Sequence, residues 1–349
     1  MEKEKLHFTS DYMEGAHPKV LEAVVKTNMV SVQGYGEDPF CQSAKDKILK
    51  ACECPGGEVY FLSGGTQTNQ TVIDCVLRKY QGVIAADTGH IAVHEAGAIE
   101  YAGHKVLTVP SKDGKLTAAQ VEKLSKDYYD DANHEHMIMP GMVYISQPTE
   151  YGTLYSLSEL KELRAVCDKY DIALYLDGAR LAYALASSAN DVTLPDIARY
   201  CDVFYIGGTK CGCLNGEAVV IPKKGFIPHF FTMIKQHGAL LAKGRLLGVQ
   251  FDALFTDGLY DEIGRAAIES AEAITAALKD NGYHIYIDSP TNQVFFVINN
   301  DKMAELSEYA EYGYMEKYDE NSSIIRFCPS WAVTKEQTAA LCELIKKFA

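Results

Sequence analysis

Val203-Phe-Tyr-Ile-Gly-Gly-Thr-Lys210 is an apolar run that passes directly into two glycines, a threonine and a lysine. The run predicts a β-strand over Val203–Gly207, so that Lys210 would lie just beyond the carboxyl end of the strand. Ligands bind at this edge of open α/β sheets, and a lysine there can form a Schiff base with a carbonyl compound. A surface lysine in a turn is the alternative that this segment alone leaves open.

A second chemical group ends the preceding strand candidate, in Ile172-Ala-Leu-Tyr-Leu-Asp177-Gly-Ala-Arg180. If the two strands are close in a parallel sheet, Asp177 and Lys210 point into one crevice. An aspartate facing a pyridinium nitrogen and a lysine holding an aldehyde are the two protein groups that pyridoxal 5'-phosphate (PLP) requires. The alternative is that Asp177 caps a helix.

A glycine-rich turn, Ser63-Gly64-Gly65-Thr66, follows an earlier strand candidate and leads into a helical pattern. A phosphate fits at such a helix N-terminus, because the backbone N–H groups are free and the helix dipole favours an anion. The turn lacks the GxxxxGK[ST] pattern of a P-loop and is a weak signal by itself. Its combination with Asp177 and Lys210, all at carboxyl ends of strands, predicts a PLP site.

Alternating strand and helix patterns between residues 58 and 222 predict an α/β fold with a mostly parallel, seven-stranded sheet. Gly216–Pro222 is predicted as a strand at the edge of this sheet. The other strands are predicted at Glu58–Ser63, Gly82–Ala86, His104–Pro110, Met142–Gln147, Ile172–Asp177 and Val203–Gly207. Helices are predicted at Lys19–Thr27, Phe40–Lys50, Thr117–Tyr129 and Ser156–Tyr170, the last with a capping box of Ser156 and Glu159.

The pattern changes beyond about residue 258, where a smaller α+β domain is predicted. Its elements are a helix Leu259–Asp280, strands His284–Asp288 and Val294–Asn299, a helix near Lys302–Tyr312, a strand Ser323–Phe327 and a helix from Thr334. We therefore expect an N-terminal segment (residues 1–45), a large PLP-binding domain (46–257) and a small C-terminal domain (258–349).

Composition excludes several classes of protein. The chain has 349 residues, of which 47% are hydrophobic and 23% charged, as in ordinary globular proteins. Its formal charge of −14 repels polyphosphate and disfavours nucleic acid as a partner. The ten cysteines include no CxxC pair, and no apolar run is long enough to span a membrane. We expect a cytoplasmic protein with reduced thiols and no membrane partner.

Seven segments of the chain carry a family resemblance. They are Ser10-Asp11, Tyr35-Gly-Glu-Asp-Pro39, Gly64-Gly-Thr66, His90-xxxx-Glu95-Ala-Gly97, Asp177-Gly-Ala-Arg180, Thr209-Lys210 and Arg326. In these segments and in their order, the chain resembles the threonine aldolase and β-eliminating lyase group of PLP enzymes, and is most similar to low-specificity L-threonine aldolases. The resemblance implies the aspartate aminotransferase type of fold (fold type I).

By this resemblance, Lys210 would hold the PLP aldehyde, Asp177 would pair with the pyridinium nitrogen, and His90 would stack on the ring. The other residues implied to bind the cofactor are Gly64, Gly65, Thr66, Arg180, Thr209 and Arg245. Within this set, Gly65 and Thr66 would hold the phosphate.

The resemblance also implies that Ser10, Arg180 and Arg326 hold the substrate carboxylate. Arg326 lies in the apolar strand candidate Ile324-Ile-Arg-Phe-Cys328, where a buried arginine needs an anionic partner, although an outward-facing arginine is the alternative. Tyr35 would belong to the substrate site and, with Arg245, would reach the neighbouring subunit's site. The active unit would then be a homodimer or homotetramer.

The histidines leave two questions. His136, or else His134, lies in the region where the aldolases carry a second active-site histidine, although both residues can be solvated loop residues. His90 and His94 with Glu95 do not form an HExxH motif and lack an evident third ligand, so no metal is expected. In addition, Gln147-Pro-Thr-Glu-Tyr-Gly152 replaces the Glu-Asn-Thr-His-Asn-Gly more usual in these aldolases.

The leading hypothesis is a retro-aldol cleavage of L-threonine, L-allo-threonine or a related β-hydroxy-α-amino acid into glycine and an aldehyde. Arg326 and Arg180 would fix the carboxylate, and His90 or His136 would take the hydroxyl proton, since imidazole titrates near neutral pH. A β-eliminating lyase or an aminotransferase of the same fold is the alternative within PLP chemistry. A non-catalytic PLP-binding protein is the alternative outside it.

Overall fold

The computed structural model describes residues 5–349 of the chain. The strands are β1 (Leu6–His7), β2 (Glu58–Leu62), β3 (Gln81–Ala86), β4 (Val106–Val109), β5 (Met139–Ser146), β6 (Ala173–Asp177), β7 (Val203–Gly207), β8 (Glu217–Ile221), β9 (His284–Ile287), β10 (Val294–Asn299), β11 (Ala310–Glu311), β12 (Gly313–Lys317) and β13 (Ser322–Phe327). The α-helices are α1 (Pro18–Thr27), α2 (Pro39–Ala51), α3 (Gly65–Val76), α4 (His90–Val93), α5 (Ala98–Tyr101), α6 (Ala118–Asp130), α7 (Leu157–Tyr170), α8 (Leu181–Ala186), α9 (Leu194–Tyr200), α10 (Phe230–Gln236), α11 (Arg245–Leu254), α12 (Leu259–Asp280), α13 (Asn300–Leu306) and α14 (Lys335–Lys347).

The central sheet has seven strands in the order β2-β8-β7-β6-β5-β3-β4. Six of them run in one direction, and β8 runs antiparallel to its neighbours β2 and β7. Helices pack on both faces over two hydrophobic clusters. The predicted α/β class with a mostly parallel sheet is therefore confirmed.

The strand predicted at the edge of the sheet, Gly216–Pro222, lies inside it as β8, so that prediction was wrong. All five residues of β8 are buried, and the strand pairs with β2 on one side and β7 on the other. A short apolar run does not reveal how many neighbours a strand has. Both β2 and β7 run antiparallel to β8, so they run in the same direction as each other. Their carboxyl ends therefore lie at the same edge of the sheet.

The predicted helix starts are confirmed by their hydrogen bonds. Ser156 accepts from the backbone N–H of Glu159, whose carboxylate accepts from the Ser156 N–H in return, and Thr117 forms the same capping box with Gln120. Each box satisfies two N–H groups that a helix start leaves without partners. These caps set where α6 and α7 begin against the sheet.

A second, antiparallel sheet lies near the C-terminus, in the order β12-β13-β10-β9. Its core contains Phe8, Phe296 and Phe327. The helix predicted near Lys302–Tyr312 is shorter, because the chain turns after α13 into β11, which pairs with β1. The strand β12 was missed, because four of its five residues are exposed. The division into residues 1–45, 46–257 and 258–349 stays a prediction, and α2 runs across its first boundary.

Candidate active site

One cavity opens at the carboxyl edge of the central sheet. Its wall is contributed by segments that follow β2, β3, β5, β6 and β7, together with the first residue of β8. The lining residues are Gly65, Thr66, His90, Ser146, Pro148, Thr149, Glu150, Asp177, Ala179, Arg180, Tyr205, Thr209, Lys210 and Glu217. The structure thus brings together the predicted lysine, aspartate, histidine and phosphate turn.

Asp177 is held as an anion by its own chain. One carboxylate oxygen accepts from the Tyr144 hydroxyl at 2.7 Å and from Asn69 Nδ2 at 3.0 Å, and the other accepts from the Tyr205 hydroxyl and the Ala179 N–H. Burial alone would raise the pKa of Asp177, but the charge of His90 and these hydrogen bonds outweigh burial and lower it. The carboxylate therefore stays ionised in a buried site.

His90 is oriented by Glu95, a residue to which sequence reasoning gave no role. His90 Nδ1 lies 2.7 Å from Glu95 Oε1, which also accepts from Asn69 Nδ2 at 2.7 Å. Asn69 in turn contacts Asp177, so one network connects the histidine and the aspartate. The Glu95 Oε2 atom is buried and has no partner among residues 5–349. Glu95 fixes which ring nitrogen of His90 faces the cavity.

The phosphate turn fits an anion. Gly64 caps the N-terminus of α3, whose first N–H groups have no partner within the helix. A Cβ atom on Gly65 would lie 3.2 Å from the Tyr205 hydroxyl, so a larger residue would crowd the floor of the cavity. The Thr66 side of the turn lines the cavity with Lys210. A phosphate-binding turn, an acid for the pyridinium nitrogen and an amine for the aldehyde are the protein groups that PLP needs.

Glu150 is a further carboxyl group in the cavity that sequence reasoning missed. Its Oε1 accepts from the His90 backbone N–H at 2.9 Å and lies 2.9 Å from Ser146 Oγ. Burial raises the pKa of Glu150, and the negative charge of Asp177 adds to that shift. Its position after a strand, within the segment that departs from the aldolase pattern, was the available signal.

The predicted carboxylate-binding residues differ in their partners. The Arg180 guanidinium donates two hydrogen bonds to Asp11, at 2.6 and 3.0 Å, so an internal anion already balances its charge. Arg326 donates to the Gln293 amide oxygen and the Thr9 carbonyl. Its Nε and the Ser10 hydroxyl are buried without partners in the described chain. Arg326 and Ser10 therefore retain unused hydrogen-bonding capacity.

Tyr35 and Arg245 do not line this cavity. Tyr35 is 43% exposed with Lys235 Nζ 4.4 Å above its ring, and Arg245 donates to the carbonyls of Thr27, Asn28 and Val30. They line two larger cavities, of about 390 and 480 Å³ against about 170 Å³ for the one at Lys210. Neither larger cavity contains a strand-end lysine and aspartate, so these two groups come together only in the smallest of the three.

His136 does not line the cavity of its own chain, and its assignment to the active site stays a prediction. His136 lies in a 3-10 turn, His134–His136, which precedes β5 and is therefore at the amino end of that strand. The cavity is at the carboxyl end, eight residues of strand away, or roughly 25 Å at about 3.3 Å per residue. A residue that precedes a parallel strand cannot reach the opposite edge of the sheet.

Residues 5–349 contain neither a metal-binding cluster nor a membrane-spanning helix. No group of three or more histidine, cysteine, aspartate or glutamate side chains there is arranged to hold a metal ion. No helix within the same residues is both long and apolar enough to cross a membrane.

The fold and this cavity define an enzyme of fold type I, the class of PLP-dependent enzymes that includes aspartate aminotransferase. A single-mutant aspartate aminotransferase from Thermus thermophilus shares this fold, with a TM-score of 0.72 and 13% identity over 99% of this chain and 92% of that one. A model of the beta-eliminating lyase family matches residues 7–305, and the chain belongs to that family.

Two relatives are similar to the chain over most of its length. The low specificity L-threonine aldolase of Pseudomonas sp. (strain NCIMB 10558) is 30% identical over 309 residues, which are 88% of each chain. The solved structure of Leishmania major threonine aldolase is 42% identical, with a TM-score of 0.95, and the match covers 98% of this chain and 99% of that one. The chain is a PLP-dependent lyase by family and fold.

Proposed function

We propose that this protein binds PLP at Lys210 and cleaves β-hydroxy-α-amino acids such as L-threonine or L-allo-threonine to glycine and an aldehyde. The observation that carries the proposal is the convergence of Lys210, Asp177 and the Gly65–Thr66 turn on one cavity. The relatives named as threonine aldolases support the reaction type.

PLP, when bound, supplies an electron sink for the carbanion that remains when a bond to Cα breaks. Lys210 would hold its aldehyde and Asp177 would keep a proton on its ring nitrogen, which the four hydrogen bonds to the Asp177 carboxylate support. Gly64, Gly65, Thr66 and Thr209 would bind the phosphate, and all of them except Gly64 line the cavity. His90, held by Glu95, would support the face of the ring.

Arg326 and Ser10 would bind the carboxylate of the substrate. Neither residue is among those that line the cavity, but each has a buried polar atom without a partner in the described structure that a carboxylate would satisfy. Arg180 would contribute mainly by fixing Asp11 and the wall of the cavity, because its charge is already paired. Anchoring the carboxylate restricts rotation about the bond between the amino nitrogen and Cα. This rotation selects which bond to Cα is cleaved.

Glu150 and His90 are the residues proposed to take the proton of the β-hydroxyl. Both line the cavity, whereas His136 does not. Burial raises the pKa of Glu150, so its carboxylate is a stronger base than an exposed glutamate. A base whose pKa lies nearer the working pH transfers a proton more effectively in both directions.

The proposed active unit is a homodimer or homotetramer in which Tyr35 and Arg245 reach the neighbouring site. An exposed apolar surface around α1 supports this assembly. The cytoplasm is the proposed compartment, because all ten cysteines are free thiols. No nucleic-acid or membrane partner is proposed.

The experiment that tests the reaction is product analysis by NMR after incubation of the PLP-loaded protein with L-threonine and with L-allo-threonine. We expect glycine and acetaldehyde, with the faster isomer giving the stereochemical preference. Formation of 2-oxobutyrate and ammonia would instead favour the second candidate, β-elimination. No reaction with either isomer would contradict the aldolase proposal.

A further inference from the structure

Glu217 is a buried carboxyl group in the cavity to which the proposed reaction gives no role. It is the first residue of β8, and the strand register places it opposite Leu62 of β2 and Gly207 of β7. Leu62 lies two residues before Gly64, and Gly207 lies three residues before Lys210. Glu217 thus lies between the loop proposed to hold the phosphate and the loop that carries the lysine.

The contacts of Glu217 are with the lysine loop. Its Oε2 accepts from the Gly208 N–H at 3.2 Å, and its carboxyl also contacts the Thr209 hydroxyl. Only 3% of the residue is exposed. Burial raises the pKa of Glu217 to about 8, although these hydrogen bonds and the charge of Lys210 act in the opposite direction.

The groups around Glu217 come from four other elements. Two of these groups are charged, namely Lys210 after β7 and Asp177 at the end of β6. The others are neutral near pH 8, because burial raises their pKa values above their usual range: Tyr175, Tyr205, Cys211, Cys213 and Tyr260. Across the cavity stand His90, Glu150 and Arg180.

We propose that Glu217 must carry a proton for the cofactor phosphate to bind, so that this carboxyl couples PLP affinity to pH. The inference rests on the proposed PLP site. A phosphate dianion and a glutamate carboxylate would otherwise share one cavity of low dielectric constant, where like charges repel strongly. A protonated Glu217 removes that repulsion and can donate a hydrogen bond.

The sign of the effect follows from the position of the pKa. Below about pH 8, Glu217 is protonated and adds no negative charge beside the phosphate. Above that pH, the carboxylate must take up a proton when the phosphate binds, so the Kd for PLP rises. The limit for one coupled proton is about tenfold in Kd per pH unit.

The test is a titration of the full-length protein, freed of cofactor, with PLP and separately with pyridoxal between pH 7 and 9.5, followed by absorbance and protein fluorescence. Pyridoxal has the same ring and aldehyde but no phosphate. The difference between the two Kd values at each pH therefore measures the contribution of the phosphate. We expect the Kd for PLP to rise by about 30-fold more than the Kd for pyridoxal over this range, because a required proton with a pKa of about 8 is about 1.5 pH units past its midpoint at pH 9.5. In Glu217→Gln this excess should disappear.

A matched control is Glu58→Gln. Glu58 pairs with Ile221, at the other end of β2 and β8, and lies outside the cavity. This variant should behave like the wild type. If Glu217→Gln does not fold, the comparison of PLP with pyridoxal in the wild type still decides.

Equal pH dependence for PLP and pyridoxal in the wild type would overturn the inference, as would an unchanged excess in Glu217→Gln. Either result, with PLP still bound at pH 7, leaves the proposed function standing. Absence of PLP binding at every pH would overturn the proposed function and this inference together.

Discussion

The cavity at the carboxyl edge and the surface around α1 differ in how much of each a single chain completes. In the cavity, Asp177 accepts four hydrogen bonds from its own chain. On the surface, Val25 is 66% and Met29 89% exposed, and Tyr35 stands close by at 43%. One chain thus completes the contacts of Asp177 by itself, whereas the exposed apolar surface around α1 is where we propose that a neighbouring subunit packs.

The largest effect is expected from Lys210→Ala. Loss of the amine removes the group that holds the cofactor aldehyde, so turnover of L-threonine should fall to background, by about 10⁴-fold or more. A matched control is Lys115→Ala, because Lys115 forms an ion pair with Glu159 away from the cavity. Normal turnover in Lys210→Ala would contradict the single-chain account of the cavity.

Asp177→Asn is expected to have the next largest effect. The amide cannot keep a proton on the ring nitrogen, and its NH₂ group would face the donors Tyr144 and Asn69 that now contact Oδ2. We expect kcat to fall by about 10²- to 10³-fold, the range for loss of one group that stabilises the transition state. Steady-state kinetics measures this effect, and a loss below threefold would show that Asp177 does not face the ring.

Arg326→Lys and Arg180→Lys sharpen the comparison within the site. Arg326 retains an unpartnered buried Nε, so its replacement should raise KM for the amino acid by about 10-fold or more. Arg180 is paired with Asp11, so its replacement should lower the Tm more than it raises KM. The reverse pattern in kinetics and thermal unfolding would exchange the two roles.

The ion pair of Arg180 with Asp11 also makes the stability of the fold depend on pH. Burial alone would raise the pKa of Asp11, but Arg180, with further contributions from Lys210 and Asn292, lowers it to about 2. The folded pKa lies below the unfolded value, so the carboxylate stabilises the fold above about pH 4 and this contribution is lost as the pH falls toward 2.

Met29→Glu is expected to have the smallest effect on chemistry and a clear effect on assembly. If a neighbouring subunit covers the α1 surface, a buried charge should weaken subunit association by at least about 10²-fold. Tyr101→Glu is the control, because Tyr101 is 87% exposed on α5. Analytical ultracentrifugation should show a lower mass for Met29→Glu alone. Equal masses for both variants would place the interface elsewhere.

The sequence was most informative where local chemistry and strand ends coincide. Each of the six predicted parallel strands matches an observed strand with both ends within three residues. Asp177 ends β6 and Lys210 follows β7, as expected. Parallel strands that are covered on both faces have a recognisable apolar pattern. Their carboxyl ends can therefore be assigned to one edge before the structure is known.

The parts that were missed depend on tertiary arrangement. Glu217 lines the cavity because β8 runs antiparallel between β2 and β7, which brings its first residue to their carboxyl edge. No local sequence pattern indicates this arrangement. Glu95 has a role only through its contacts with Asn69 and His90. His136 precedes β5 and so lies away from the carboxyl edge, which its spacing by itself does not indicate.

The most direct test of the account is to reduce the PLP-loaded protein with borohydride and to locate the pyridoxyl group by peptide mass spectrometry. Borohydride makes the lysine–cofactor bond permanent. We expect one pyridoxyl group per chain, on Lys210. The Lys210→Ala variant, treated with pyridoxal 5'-phosphate and borohydride in the same way, should carry none. Labelling of another lysine, or no specific labelling, would contradict the claim that this cavity is the active site.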